Sequence, residues 1–325
     1  MFTGVTGHEP VKKLFAEVIR QNKLAHSYIF TGPDGIGKFI FAQELAKALL
    51  CENKTGCNKC ASCRKFDNGN HTSVRIVNIP SGKKHIPIDI VREIESEIML
   101  KPFEGRHKIF IINNAEMFTD EAANAFLKTL EEPPAYSLII LIVSNIAAML
   151  PTVISRSQVV RFYPIPDKVL EKILKDKIKL SEPEMKLLVT LSDGSAGKAM
   201  MLSESKLIAH RDKLLEGLFQ PKKDLADEII RSGDKFKDNE SIRSHIAQQF
   251  KLISLFLMDV LLFKLNGGKV DKLLNRDKEQ LLIKAEAMYS EEALEKAIDN
   301  LVQAEEYLRM NLNPKIVVSN AVFSL

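Results

Sequence analysis

The sequence predicts an α/β fold in its first half and an all-helical second half. Near-continuous apolar runs alternate with helical periodicity up to about residue 165, and helix follows helix beyond it. The glycine-rich segment 32–38 lies between an apolar run and a helical pattern, which makes the first half a parallel sheet with a phosphate-binding loop.

Taken in order, Ser27 to Thr31 reads as a short buried strand that ends at the glycine-rich turn. Lys38 to Leu50 has helical spacing, with Ile40, Phe41, Leu45, Ala48 and Leu49 on a common side. Val74 to Ile79 reads as a second strand. Pro87 and Ile88 open a helix that carries Val91, Ile94 and Ile98. Lys108 to Ile112 is a buried strand, and Thr119 to Leu130 a helix with Thr119 or Asp120 as its cap. Pro133 and Pro134 stop that helix because proline cannot continue the hydrogen-bond ladder. Leu138 to Ser144 is a further buried strand. Strands apolar on both faces and separated by helices imply a parallel sheet covered on both sides.

After Pro164 and Pro166 the pattern changes. Helices are expected over 167–180, 182–191 and 199–203, with a turn at Gly194 and Gly197, and then over 242–265, 278–288 and 291–310. These shifts divide the chain into segments 1–165, 166–207 and 208–325.

Composition sets bounds on function. The 325 residues are 45% hydrophobic and 27% charged, which suits a packed globular chain and excludes global disorder. A net charge of +4 is too small to mark a stand-alone polyanion binder, and the lack of Trp gives no sign of an aromatic platform for single strands. Leu252 to Phe263 is too short and too interrupted, at Ser254 and Asp259, for a membrane span. Met1 to Pro10 lacks a secretory pattern, so a cytoplasmic location is expected.

The loop Gly32-Pro-Asp-Gly-Ile-Gly-Lys38 matches GxxxxGK, with Gly35 and Gly37 inside it. Backbone N–H groups of such a loop surround phosphate oxygens, and Lys38 would reach the outer phosphates. The next residue should carry a hydroxyl for Mg²⁺, yet it is Phe39. The strand 108–112 should end in an acid, yet Asn113 and Asn114 follow. An amide is a weak ligand for a hard cation and no general base. The two Mg²⁺ handles and the water-activating acid are missing together. The expectation is therefore a loop that holds ATP or ADP statically, if at all, and does not hydrolyse it.

Cys51-x5-Cys57-x2-Cys60-x2-Cys63 contains all four cysteines of the chain. Four thiols this close suit tetrahedral zinc in a closed structural site. The alternative is a set of reduced, buried thiols. The expected role is a knuckle that staples the excursion before the strand at Val74.

These segments stand in the order of a known family. Leu24-Ala-His-Ser-Tyr-Ile-Phe-Thr-Gly-Pro-Asp-Gly-Ile-Gly-Lys38, the cysteine cluster, Asn124-Ala-Phe-Leu-Lys-Thr-Leu-Glu-Glu-Pro-Pro134 and Ser155-Arg-Ser157 resemble bacterial DNA polymerase III clamp-loader subunits of the AAA+ class. The delta-prime type is matched more closely than tau/gamma. The resemblance implies a P-loop domain with a zinc knuckle, a small helical lid and a helical collar that assembles the subunits. It implies partners: tau/gamma and delta subunits, with the sliding clamp and primed DNA reached through the assembly, and no membrane. It implies that Arg156, in a Ser-Arg-Cys motif whose Cys is here Ser157, is an arginine finger serving the ATP of a neighbouring subunit. It also implies sensor-like places for Ser144 and Asn145 at the end of a strand and for Lys198 in Gly194-Ser-Ala-Gly-Lys198. Two other readings compete. An active ATPase motor is opposed by Phe39, Asn113 and Asn114. A zinc-bearing nucleic-acid module would need the basic residues Lys54, Lys59, Arg64 and Lys65, which Glu52 and Asp67 dilute.

Overall fold

A computed structural model describes residues 1–205, 207–270 and 273–325. By compactness the chain falls into two units. The first holds Met1–Ile173 with Gly194–Lys198, the second Leu174–Asp193 with Ala199–Leu325. The segment 166–207 is thus shared between them.

The first unit runs α1 (Glu9–Gln21), β1 (Ser27–Thr31), α2 (Lys38–Leu50), α3 (Ala61–Asp67), β2 (Val74–Val77), α4 (Ile88–Ile98), β3 (Lys108–Ile112), α5 (Asp120–Glu131), β4 (Ser137–Val143), α6 (Pro151–Ile154) and β5 (Gln158–Arg161). Then α7 (Asp167–Lys175) carries the chain onward. The five strands pair in the order β2-β3-β4-β1-β5, and every pairing is parallel.

Strand periodicity builds two cores from one sheet. On one face Tyr28, Phe30, Ile109, Ile111, Leu138, Ile140 and Ile142 pack with Phe15 of α1 and Phe41 and Leu45 of α2. On the other, Ile29, Phe110, Ile112, Ile139, Leu141 and Val143 pack with Val91, Ile94 and Ile98 of α4 and Phe126 of α5. Successive strand residues point to opposite faces, so a strand buried on both sides must be apolar throughout. β4 is buried at all seven positions. The Thr119 hydroxyl accepts the Ala122 N–H and caps α5, one of the two caps expected.

Four elements of this unit were not anticipated: α1, α3, α6 and β5. β5 is an edge strand with a single buried position, Val160, so it has no apolar run to reveal it. α1 buries Val11, Phe15 and Ile19 at four-residue spacing, a pattern that is present in the sequence. Other boundaries shift. β2 ends at Val77, short of Ile79, and α7 ends at Lys175, short of Leu180.

The second unit contains α8 (Glu182–Leu191), most of α9 (Ala196–Glu204), α10 (Leu207–Gly217), α11 (Lys222–Gly233), α12 (Asn239–Leu265), α13 (Glu279–Met288), α14 (Glu291–Arg309) and α15 (Pro314–Phe323). Its centre is α12, which buries Ile246, Phe250, Ile253, Phe256, Leu257 and Val260 and packs most extensively on α14. α12 is long and apolar enough to cross a membrane by length and composition alone, yet most of its apolar window is buried inside this unit. Polar staples hold the surroundings. The Asp259 carboxylate accepts from the backbone N–H groups of Leu274 and Asn275, and buried Arg211 pairs with Asp277.

Candidate phosphate loop, arginine and cysteine sites

The glycine-rich loop leaves the carboxyl end of β1 and enters α2, beside β4 on one side and β5 on the other. Ligands of open parallel sheets bind at this end of the strands. Its glycines are required by geometry. A Cβ on Gly32 would lie 2.3 Å from the Phe162 carbonyl oxygen, and one on Gly35 would lie 2.5 Å from Ser195 Oγ. Gly37 caps α2 at φ 105°, a conformation side-chain-bearing residues rarely adopt.

Each loop carbonyl has a donor. Buried Lys38 folds back, and its Nζ donates to Gly32 O and, at 2.7 Å, to Pro33 O. The Ser195 hydroxyl donates to Asp34 O at 2.8 Å, and the Gly197 N–H to Gly35 O at 2.9 Å. His8 donates through Nε2 to Ile36 O at 2.7 Å, which fixes its tautomer, and burial lowers its basicity. The Phe41 N–H closes Gly37 O. The N–H groups of Gly35 to Lys38, by contrast, pair with no backbone acceptor among the described residues. That is the polarity of an anion cradle. Burial depresses the Lys38 ammonium, while Asp34 and Glu116 pull it back up.

The residues at the two expected metal positions have other partners. Phe39 packs against the apolar core beside α2. The Asn113 amide donates to Asn78 Oδ1 at 3.4 Å, and Asn114 sits in the left-handed region at the start of a one-turn helix, Ala115–Met117. The structure adds Glu116, which the reading of positions 113 and 114 missed. Its Oε1 accepts the Ser144 N–H at 2.7 Å and the Ser144 hydroxyl. The sequence signal was an acid three residues beyond Asn113, brought back to β4 by that short turn.

The remaining predicted residues divide. Asn145 is exposed, and its side-chain oxygen accepts the Ala147 N–H, so it caps a short turn. Lys198 lies on the segment 194–198 that lies against the phosphate loop, and its own N–H bonds Ser195 Oγ.

Arg156 is not gathered in. It follows α6 and precedes β5, and its guanidinium donates to Glu131 at 2.6 Å and to Thr152 O at 3.0 Å. Next to it, Ser27 Oγ and Ser157 Oγ share a hydrogen bond of 2.8 Å. β1 and β5 are parallel, with Tyr28 opposite Gln158 and Thr31 opposite Arg161. Arg156 therefore sits at the amino end of the strands and Lys38 at the carboxyl end. At ~3.3 Å per residue the strand alone separates the two levels by roughly 13 Å.

The four cysteine sulfurs lie within 4.8 Å of one another. A tetrahedron of thiolates about 2.3 Å from zinc has edges of roughly 3.8 Å. Backbone N–H groups of Cys57, Cys60 and Cys63 point at Cys51, Cys57 and Cys60 sulfurs, each at 3.4 Å. Burial pushes the Cys51 thiol up, but the backbone donors of Cys57, Thr55 and Asn53 outweigh it and bring it down to about 5. Burial and the neighbouring Cys60 push Cys63 up to about 12. The donor set and spacing fit zinc and no open catalytic position.

A family profile described as "DNA polymerase III, delta subunit" matches residues 7–166, and one described as "DNA polymerase III, delta subunit, C terminal" matches residues 207–325. The delta' subunit of Bacillus subtilis (strain 168) is 28% identical, covering 97% of this chain and 95% of that protein. The tau subunit of the same organism is 27% identical, covering all of this chain, which spans 61% of that protein's length. The gamma/tau subunit of Mycoplasma pneumoniae is 31% identical over 65% of this chain, which spans 33% of it.

Proposed function

The chain belongs to the DNA polymerase III delta-subunit family, in its delta-prime branch, and on that premise we propose that it is a clamp-loader stator that does not hydrolyse ATP itself. It helps load a sliding clamp onto primed DNA, and Arg156 acts in trans on the ATP of a neighbouring tau/gamma subunit. The observation that carries this reading is the separation of Arg156 from Lys38 across the full length of β1. An arginine at the wrong end of its own sheet cannot reach its own loop. Its half-exposed position at the opposite end supports a role toward another chain's nucleotide. A guanidinium suits that task because it is always charged and binds phosphate oxygens in a fork. Its pairing with Glu131 is half-exposed, and such pairs are worth roughly 0.2–1 kcal/mol, so release costs little.

The other parts follow. The loop at Gly32, Gly35, Gly37 and Lys38 is an anion cradle without metal handles, which binds ATP or ADP statically if it binds either. Cys51, Cys57, Cys60 and Cys63 hold a structural zinc that staples residues 51–63. Residues 1–165, 166–207 and 208–325 act as P-loop domain, lid and collar, with tau/gamma and delta as partners in the cytoplasm.

The test is ATP turnover by the reconstituted loader with clamp and primed DNA. Arginine fingers supply factors on the order of 10³ or more in rate at the site they serve. Arg156→Ala is expected to lower turnover sharply, and Lys38→Ala to leave it near wild type. If Lys38→Ala is the damaging change, the chain is itself a motor of the tau/gamma kind.

A further inference from the structure

Glu116 has no part in the function proposed above, yet it stands where three strands end. It lies just beyond β3, it holds Ser144 at the end of β4, and β4 pairs with β1, whose end opens the phosphate loop. One oxygen, Oε1, takes both the N–H and the hydroxyl of Ser144. The other, Oε2, is buried and has no hydrogen-bond partner among the described residues. A buried carboxylate oxygen without a donor is costly unless a nearby positive charge offsets it. Lys38 offsets it in part, for Asp34, at 3.7 Å, and then Glu116 hold its ammonium up against burial. The lysine of a phosphate loop is the group that reaches the outer phosphates. Ser144, Glu116 and Lys38 therefore already form the kind of charge set that a bound terminal phosphate would complete.

We infer that Glu116 provides in cis the negative charge that a terminal phosphate would bring, and so makes this loop discriminate against nucleoside triphosphates relative to diphosphates. The donors of Ser144 are already spent on the carboxylate. A third phosphate would meet a like charge in a low-dielectric setting, while the two inner phosphates would still meet the loop N–H groups and Lys38. The inference rests on the non-hydrolysing reading of the loop. The two fail separately, because turnover of the assembled loader reports Arg156 and nucleotide affinity of the full chain alone reports Glu116.

The test is calorimetric titration of the full chain with Mg-ATP and with Mg-ADP, for wild type, Glu116→Gln, Glu116→Ala and Glu116→Asp. Glu116→Gln keeps the shape and an acceptor for Ser144 but removes the charge. It is expected to tighten ATP on the order of tenfold while ADP changes less than about threefold. Glu116→Ala should do the same, which covers a failure of the first variant to fold, and Glu116→Asp should retain the wild-type ratio. An unchanged ATP-to-ADP ratio in both neutral variants overturns the inference. So does equal tightening of the two nucleotides, or an absence of binding in every variant.

Discussion

Lys38 donates to two carbonyls of its own loop, which changes what a substitution there does. Lys38→Ala leaves Gly32 O and Pro33 O without those donors in a buried setting, and a stranded buried acceptor costs about 1–3 kcal/mol. Arg156→Ala breaks a half-exposed surface pair and is expected to cost less than about 1 kcal/mol. Urea unfolding of the two variants checks both figures, and it separates loss of fold from loss of function in the turnover assay. At this scale much was legible. Glycines, a lysine and four clustered thiols have chemistry that spacing alone reveals. Glu116 was not legible, because its place depends on a one-turn helix that turns position 116 back onto Ser144.

The phosphate loop and the segment 194–198 meet glycine to glycine. A Cβ on Gly197 would stand 2.8 Å from Gly35 Cα, and that neighbour is backbone that cannot swing aside. Gly197→Ala should therefore cost about 1–3 kcal/mol, read as a lowered unfolding midpoint, and should speed amide exchange at the start of α2. α8 is held differently. Glu184 reaches back to accept the Ser181 N–H at 2.9 Å and its hydroxyl at 2.6 Å, and these bonds hold its carboxyl below the usual range. A carboxyl lowered in the folded state binds fewer protons there than in the unfolded chain. Its contribution is thus present above pH ~4.5 and is lost as pH falls through the folded value. Ser181→Ala should cost about 1 kcal/mol at neutral pH, and the deficit should shrink in acid, as urea titrations at pH 7 and pH 3 would show. The buried strands β1, β3 and β4 were readable because both faces are apolar. β5 was not, because an edge strand exposed at three of its four positions lacks that pattern.

The chain folds as two units with separate cores, and the partition is not contiguous. Gly194–Lys198 belongs with the first unit, although the residues on both sides belong with the second. The change of composition near Pro164 and Pro166 marked the end of the sheet. Nothing in the local pattern marked the return at 194–198, because its cause is close contact between two glycines distant in sequence. Zinc should matter to the first unit alone. With the metal chelated, hydrogen exchange is expected to rise in residues 51–73 and around α3, while α12 and α14 keep their protection. Equal loss of protection in both units would show that the knuckle supports more than its own excursion.

The burial of α12 has a consequence during synthesis. The helix leaves the ribosome complete at Leu265, but α14, the element that packs on it most extensively, is finished only at Arg309. At about 5–20 residues per second the delay is roughly 2–9 s. For that interval the nascent chain displays a 27-residue helical segment that contains an 18-residue window apolar enough to suit a lipid bilayer. Holding factors at the ribosome exit have a ready target there, and a stop codon placed between α13 and α14 would leave a product destined for aggregation or degradation.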